Sequence, residues 1–388
     1  MPRWESFDAF LTEAGPVTSA PLRQALVDQL LAERPVWPWV EDGRATFIFS
    51  DPGDHQNVAL NLDTIKADPP FAPMNRLEGT NFWYITREFA PDDLLDYLLA
   101  VDDPMTPLAT EPDVAGRIAR HWRPDPRNPV RMNTAHTAVS VLRMSQARPF
   151  PDWSAMPNVP RGRLDEHAID SAELGFSGRK LWVYTPPGYE GSGLAYPLLI
   201  LQDGQWMAGP LQAPYIADAL IKHQRLQPLI LAMMQSGDQQ EREREYNAND
   251  RHYQFVLTEL MPLVQTNYRV DSNNVGIGGV AVGATAAAHA ALKNPAVFTH
   301  LVMISPALQN FAARFENAER LPQRIFQSVG RYEARGRFIK PALAARDILQ
   351  RRSGVAYRFV ETGSGHGLVG FRSILPEALA WVFPGNVR

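Results

Sequence analysis

The sequence predicts two domains, a loop-rich β domain followed by an α/β domain built on a mostly parallel sheet with helices on both faces. Three observations carry this. A chain of 388 residues exceeds one ordinary domain. Of its 33 prolines, 20 fall in residues 1–170, where they exclude helix interiors and central strands. From about residue 178 the pattern changes to strand-like runs alternating with helix-like ones. The boundary is expected near residue 150, with residues 1–150 forming the first domain and the start of a linker, and 151–388 the second.

The opening MPRWESFDAFLTEAG sets Trp4, Phe7, Phe10 and Leu11 at helical spacing among charges, which reads as a surface helix without a signal peptide. PLRQALVDQLLAER is a second helix. ATFIFSD (45–51), NVALNL (57–62) and NFWYITREF (81–89) are β-branched or aromatic runs bounded by Gly, Pro and Asp, as short sandwich strands are. Residues 102–170, with DPMTPLATEP, RPDPRNPV and ARPFPDWSAMPNVPRG, read as a long connector pinned by prolines. In the second domain strands are predicted at KLWVYTP, YPLLILQD, PLILAMMQ, NVGIGGV, HLVMISP, RIFQSVG and AYRFVE. Helices are predicted at APYIADALIKHQ, DRHYQFVLTELMPLV, VGATAAAHAALKN, IKPALAARDILQRR and VGFRSILPEALAWVF.

The bulk numbers exclude several classes of function. A net charge of −4, from 38 basic and 42 acidic residues, gives no footprint for nucleic acid. No apolar run approaches the roughly 18 residues a membrane helix needs. The chain has no cysteine, so disulfides, thiolate metal sites and cysteine nucleophiles are all excluded. The histidines show no metal-ligand spacing, and no phosphate-binding glycine loop is present, so neither a metal nor a cofactor is expected. The missing leader points to the cytoplasm.

In a parallel sheet, ligands bind beyond the carboxyl ends of the strands. Three segments at predicted strand ends stand in the order nucleophile, acid, histidine of α/β-hydrolases. Gly279-Val280-Ala281-Val282-Gly283 has the spacing of the G-x-S-x-G nucleophile elbow, with alanine in place of serine. Glu333 follows RIFQSVG, where a carboxylate could orient an imidazole. His366 lies in the glycine-rich GSGHG after AYRFVET. Each has a plainer reading, as a close-packing glycine pair, a surface carboxylate and a solvated loop histidine. Their order and placement favour the catalytic reading.

These residues resemble the enterochelin esterase family, Fes-type proteins of the esterase D-like α/β-hydrolases. MNRLEGTNFWYIT (74–86) is similar to that family's M-x-R-x-x-G-T-x-x-W segment, and DPRNP (125–129) to its D-P-x-N-P linker. LLILQDGQWM (198–207), REREYNANDRHYQFVLTELMPLV (242–264), AALKNPAVF (290–298) and GHGLVGFRSILPEAL (365–379) resemble further family segments in the second domain.

The resemblance implies an immunoglobulin-like first domain and ester hydrolysis of siderophores or similar aromatic esters. It makes position 281 the nucleophile site, His366 the base and Glu333 the acid, with backbone amides of Val282 and Gln205 as the oxyanion hole. Asp203, Trp206, Arg242 and Tyr332 are then substrate-binding candidates. Arg242, with Arg244, Arg331, Arg335 and Arg337, would suit an anionic ligand such as a ferric siderophore; the alternative is loop charges balanced by Glu241, Glu243 and Glu245.

Two departures matter: Gly367 replaces the aspartate usual after the histidine, and Ala281 replaces the serine. A methyl group cannot attack a carbonyl, and Thr285 lies about 6 Å along the helix from the elbow. The favoured expectation is an engineered, inactive form of an esterase whose other parts are intact. The alternative is a natural pseudoenzyme that binds an ester or siderophore without cleaving it.

Overall fold

The computed structural model describes residues 2–134 and 137–386 and divides the chain into two compact units. The first comprises Met1–Arg148 and Gly363–Val369, and the second Pro149–Thr362 and Gly370–Arg388. The segment carrying His366 is thus grouped with the first unit, although the strand before it and the helix after it from Gly370 onward belong to the second.

In chain order the first unit contains β1 (Trp39–Glu41), β2 (Arg44–Ser50), β3 (Val58–Leu62), β4 (Phe71–Pro73), β5 (Asn75–Arg76), β6 (Phe82–Glu88), β7 (Leu94–Val101), β8 (Trp122–Arg123), β9 (Arg131–Asn133) and β10 (Ala138–Arg143). They form two antiparallel sheets, β1-β2-β6-β5 and β4-β3-β7-β10-β9, with β8 paired to β7. Alternation sends Phe47 toward the second sheet, where its ring meets Tyr97 at 4.8 Å, and Ile48 the other way. That other face is covered by the helices Phe7–Ala14 and Ala20–Glu33. The opening helix is more than a surface element, since Trp4, Phe7 and Phe10 are buried against Trp37, Trp39 and Phe82.

Of this unit's strands only β2, β3 and β6 match the sequence expectation; β7 and β10 are the longest of the others. β7 is leucine-rich and buried nearly throughout, so it lacks the alternation that marks a half-exposed strand. β10 lies inside the stretch read as a connector. There Asp125 and Asn128 of the DPRNP segment form a buried polar knot: Tyr97 donates to Asp125 Oδ2 at 2.7 Å, and Asn128 Nδ2 donates to Tyr97 Oη and the Val141 carbonyl.

The second unit is an eight-stranded sheet in the order β11-β12-β14-β13-β15-β16-β17-β18. Its strands are β11 (Arg163–Ser171), β12 (Phe176–Thr185), β13 (Tyr196–Gln202), β14 (Ile230–Met234), β15 (Val270–Val280), β16 (Phe298–Ile304), β17 (Arg324–Gly330) and β18 (Ala356–Thr362). β12 pairs antiparallel with β11 and β14, and every pairing from β14 to β18 is parallel. β13, β14 and β16 are buried along their whole length, which explains their continuous apolar sequence. The helix expected over DRHYQFVLTELMPLV is present but widened over Val256–Leu260, just before Pro262 enters its last stretch. Among the described residues no helix is long and apolar enough to cross a membrane.

Candidate active site

The elbow is built at the end of β15. Ala281 takes φ 51° and ψ −126° and is followed at once by the helix Val282–Lys293. A non-glycine residue at such angles costs on the order of 1–3 kcal/mol and persists only where its surroundings impose it. Here Ala281 N donates to Ile304 O on the neighbouring strand at 2.9 Å, and Ala281 O accepts from the amides of Ala284 and Thr285. The flanking glycines serve proximity rather than strain, because neither has positive φ. A Cβ on Gly279 would lie 2.7 Å from the Gly283 carbonyl carbon, and one on Gly283 would lie 2.7 Å from Asp203 Oδ2. Thr285 is spent on structure: its buried hydroxyl donates to Ala307 O and accepts from Ala307 N.

Glu333 is buried in the turn after β17. Its Oε1 accepts from Gly330 N at 2.6 Å and from Ser305 Oγ at 2.5 Å. Sequence reasoning missed Ser305. It sits at φ 51° directly after Ile304, so one dipeptide holds both the elbow amide and the acid. The only signal was a serine at a strand end in HLVMISP, too common to single out.

The Asp203-Gly204-Gln205 turn follows β13. Asp203 is in the left-handed region at φ 59°, ψ 51° and starts the helix Gly204–Ala208. A side chain on Gly204 would overlap the Met233 carbonyl. Gln205 is locked to Ser236, its Nε2 donating to Ser236 Oγ at 2.6 Å and its Oε1 accepting from Ser236 N. Gln205 and Val282 both lie in the first turn of a helix, where backbone N–H groups have no intrahelical acceptor.

The arginines are largely committed to carboxylates. Arg242, expected to face an anionic ligand, is buried and holds Asp203 bidentately, Nε to Oδ1 at 2.7 Å and Nη2 to Oδ2 at 2.8 Å. Burial opposes its charge, but the Asp203 carboxylate outweighs that and raises its pKa. Arg337 pairs with Glu243 and Arg331 with Glu361. Trp206 is half-buried with the Arg242 guanidinium 4.7 Å from its ring, and Tyr332 is half-buried beside Glu333.

All these residues belong to the second unit, whereas His366 belongs to the first. Its loop is anchored there, with Leu94 N donating to Gly363 O at 2.8 Å. A side chain at 365 would overlap the Asp63 carboxylate, and one at 367 would come within 3.0 Å of Asp96 Oδ1. Position 367 therefore lacks its own carboxylate but packs against one from β7. Burial, and next the Asp63 charge, push the Asp96 carboxyl up to about 7 from an ordinary 3.8. Between about pH 4 and 7 the folded chain then holds a proton that the unfolded chain has released, so this group lowers stability as pH rises through that window. Asp96→Asn is expected to melt with the parent at pH 4 and to be more stable at pH 8. The gain is about 2 kcal/mol, half of what the full shift would give, because the side chain is partly exposed. Thermal melts at the two pH values check this; a gain independent of pH would refute it.

Among the described residues no cluster of His, Cys, Asp and Glu could hold a metal ion. A mostly parallel eight-stranded sheet in which a strand, a strained one-residue turn and a buried helix follow one another defines an α/β-hydrolase fold. The chain belongs to the family described as "Putative esterase", which matches residues 171–381, and carries ahead of it a domain matching "Enterochelin esterase, N-terminal" over residues 44–153.

Iron(III) enterobactin esterase of Escherichia coli (strain K12) is 28% identical over 163 residues, which is 42% of this chain and 40% of that protein. The ferric enterobactin esterase of Salmonella typhimurium superposes with a TM-score of 0.76 at 21% identity, covering 88% of this chain and 94% of that one. The Shigella flexneri enterobactin esterase, solved in the presence of enterobactin, gives 0.72 at 21% identity over 87% and 92%.

Proposed function

We propose that this chain is the scaffold of a serine-type carboxylic ester hydrolase of the enterochelin esterase kind, inactive as written because position 281 carries a methyl group. The observation that carries the reading is the backbone of Ala281. Alanine gains nothing from φ 51° and ψ −126°, yet the chain holds it there at the start of a buried helix. In this reading a hydroxyl at 281 attacks the ester carbonyl and His366 takes its proton and later gives it to the leaving alcohol. Glu333 orients and stabilises the imidazolium, and the amides of Val282 and Gln205 receive the oxyanion.

Siderophore-type or aromatic esters are the proposed substrates, supported by the family and by the enterobactin esterases it resembles in fold. The test is Ala281→Ser assayed against aryl and catecholate esters, with Ala281→Ser/His366→Ala as control. Turnover that disappears in the control supports the reading; a folded Ala281→Ser protein inert across the panel rejects it.

Ser305 is assigned the positioning of the acid. In the Ala281→Ser background, Ser305→Ala is expected to lower kcat about tenfold, the loss of one charge-assisted hydrogen bond to the carboxylate, with KM little changed. Ser305→Thr should retain most activity. Equal losses in both variants would point to general disruption.

A further inference from the structure

We propose that Arg242 is a positioning residue, which clamps the Asp203-Gly204-Gln205 turn against the elbow and so sets the spacing of the two oxyanion amides, and that it makes no contact with an anionic ligand. The inference rests on the oxyanion-hole reading of Gln205 and Val282 given above.

The geometry carries it in three steps. First, both Asp203 oxygens are engaged by one planar guanidinium at 2.7 and 2.8 Å, a fork-to-fork pair that fixes orientation as well as distance. Asp203 and Arg242 are both buried, so that fork is committed within the fold. Secondly, Asp203 is the residue whose left-handed backbone turns the chain from β13 into the helix bearing Gln205. Holding its side chain therefore holds the turn. Thirdly, the same carboxylate packs on the elbow: Asp203 Oδ2 lies 2.7 Å from where a Cβ on Gly283 would stand, next to Val282. One ion pair thus touches both segments that supply an oxyanion amide.

Arg242 reaches this place because a capping box starts its helix. Asp238 accepts from Glu241 N, and Glu241 accepts in turn from Asp238 N. One turn on, Glu245 grips Arg179 of β12 at 2.6 and 2.8 Å, so the helix Gln239–Tyr246 is tied to the sheet beside the clamp. The Arg242 guanidinium also lies over the Trp206 and Tyr246 rings, 4.7 and 5.7 Å from their centroids.

The discriminating variant is Arg242→Lys, which keeps the charge and loses the fork, so the buried Asp203 still has a cation near it. In the Ala281→Ser background the clamp predicts that Arg242→Lys lowers kcat about 100-fold, as removal of an oxyanion donor does, with KM within about threefold and the same loss for a neutral aryl ester and an anionic catecholate ester. A ligand contact predicts the reverse: lysine nearly as good as arginine, and an effect on KM confined to the anionic ester.

A second measurement needs no turnover. In the chain as written, Arg242→Lys should speed amide hydrogen exchange about tenfold in peptides spanning residues 203–208 and 282–286 while leaving β17 unchanged. Unchanged exchange in those peptides, or kcat preserved with KM raised for the anionic ester alone, overturns the proposal. If Ala281→Ser is inactive but exchange rises as stated, the clamp stands and the esterase reading falls.

Discussion

Ala281→Ser is expected to hydrolyse an aryl ester at a rate on the order of 10⁶ above the chain as written, the scale on which removing the nucleophile disables a serine hydrolase. The expectation comes from how little has to move. The backbone at 281 already occupies the strained conformation, fixed by the Ile304 carbonyl ahead of it and by the Ala284 and Thr285 amides behind it. Serine adds one oxygen to an existing Cβ, so the change costs no rearrangement of the turn. Glu333 is already oriented by Gly330 N and Ser305 Oγ. Adding His366→Ala should return the rate to background, and Glu333→Gln should cost less, because the acid orients and stabilises without carrying the proton. Steady-state hydrolysis of a chromogenic ester measures all three. A folded Ala281→Ser protein that binds an ester tightly and cleaves none would leave ligand capture as the function.

What was legible in the sequence follows from where local chemistry and tertiary context agree. β17 is read to the residue because Ile325, Phe326 and Val329 are strand formers and Gly330 ends the run. The elbow is legible because its two glycines stand four apart between a strand and an alanine-rich helix, ahead of an acid and a histidine at later strand ends. Gly279 and Gly283 admit close packing, and the strained backbone conformation falls on Ala281 between them. β7 was missed because burial on both sides erases the period-two signal. The partner of Arg242 was not legible for a related reason. A sequence shows that an arginine has glutamates beside it, but the partner that captures it, Asp203, lies 39 residues away. Ser305 was invisible for the same cause, its hydroxyl answering to a carboxylate 28 residues on.

Gly279→Val is expected to prevent the second unit from folding stably, and Gly279→Ala to cost about 3 kcal/mol or more. The reason lies in the atoms a side chain would meet. A Cβ at 279 stands 2.7 Å from Gly283 C, 2.8 Å from Gly283 O and 3.0 Å from Ala284 N, all of them backbone of the elbow helix. That helix cannot retreat, because its other residues are buried against the sheet from Val282 through Ala291. Gly276, on the same strand, provides the control. Its Cβ would meet His300 Cβ, Leu199 Cδ1 and Phe383 Cζ at 3.1 Å, and of these the leucine and phenylalanine contacts are side-chain ends that can shift by tenths of an ångström. Gly276→Ala should therefore lower stability by only about 1 kcal/mol. Thermal melts followed by near-ultraviolet circular dichroism compare the two alanine variants, and soluble yield reports on the valine. If Gly279→Ala melts with Gly276→Ala, the close approach of helix to strand at the elbow is wrong, and with it the register that places Ala281 at the turn.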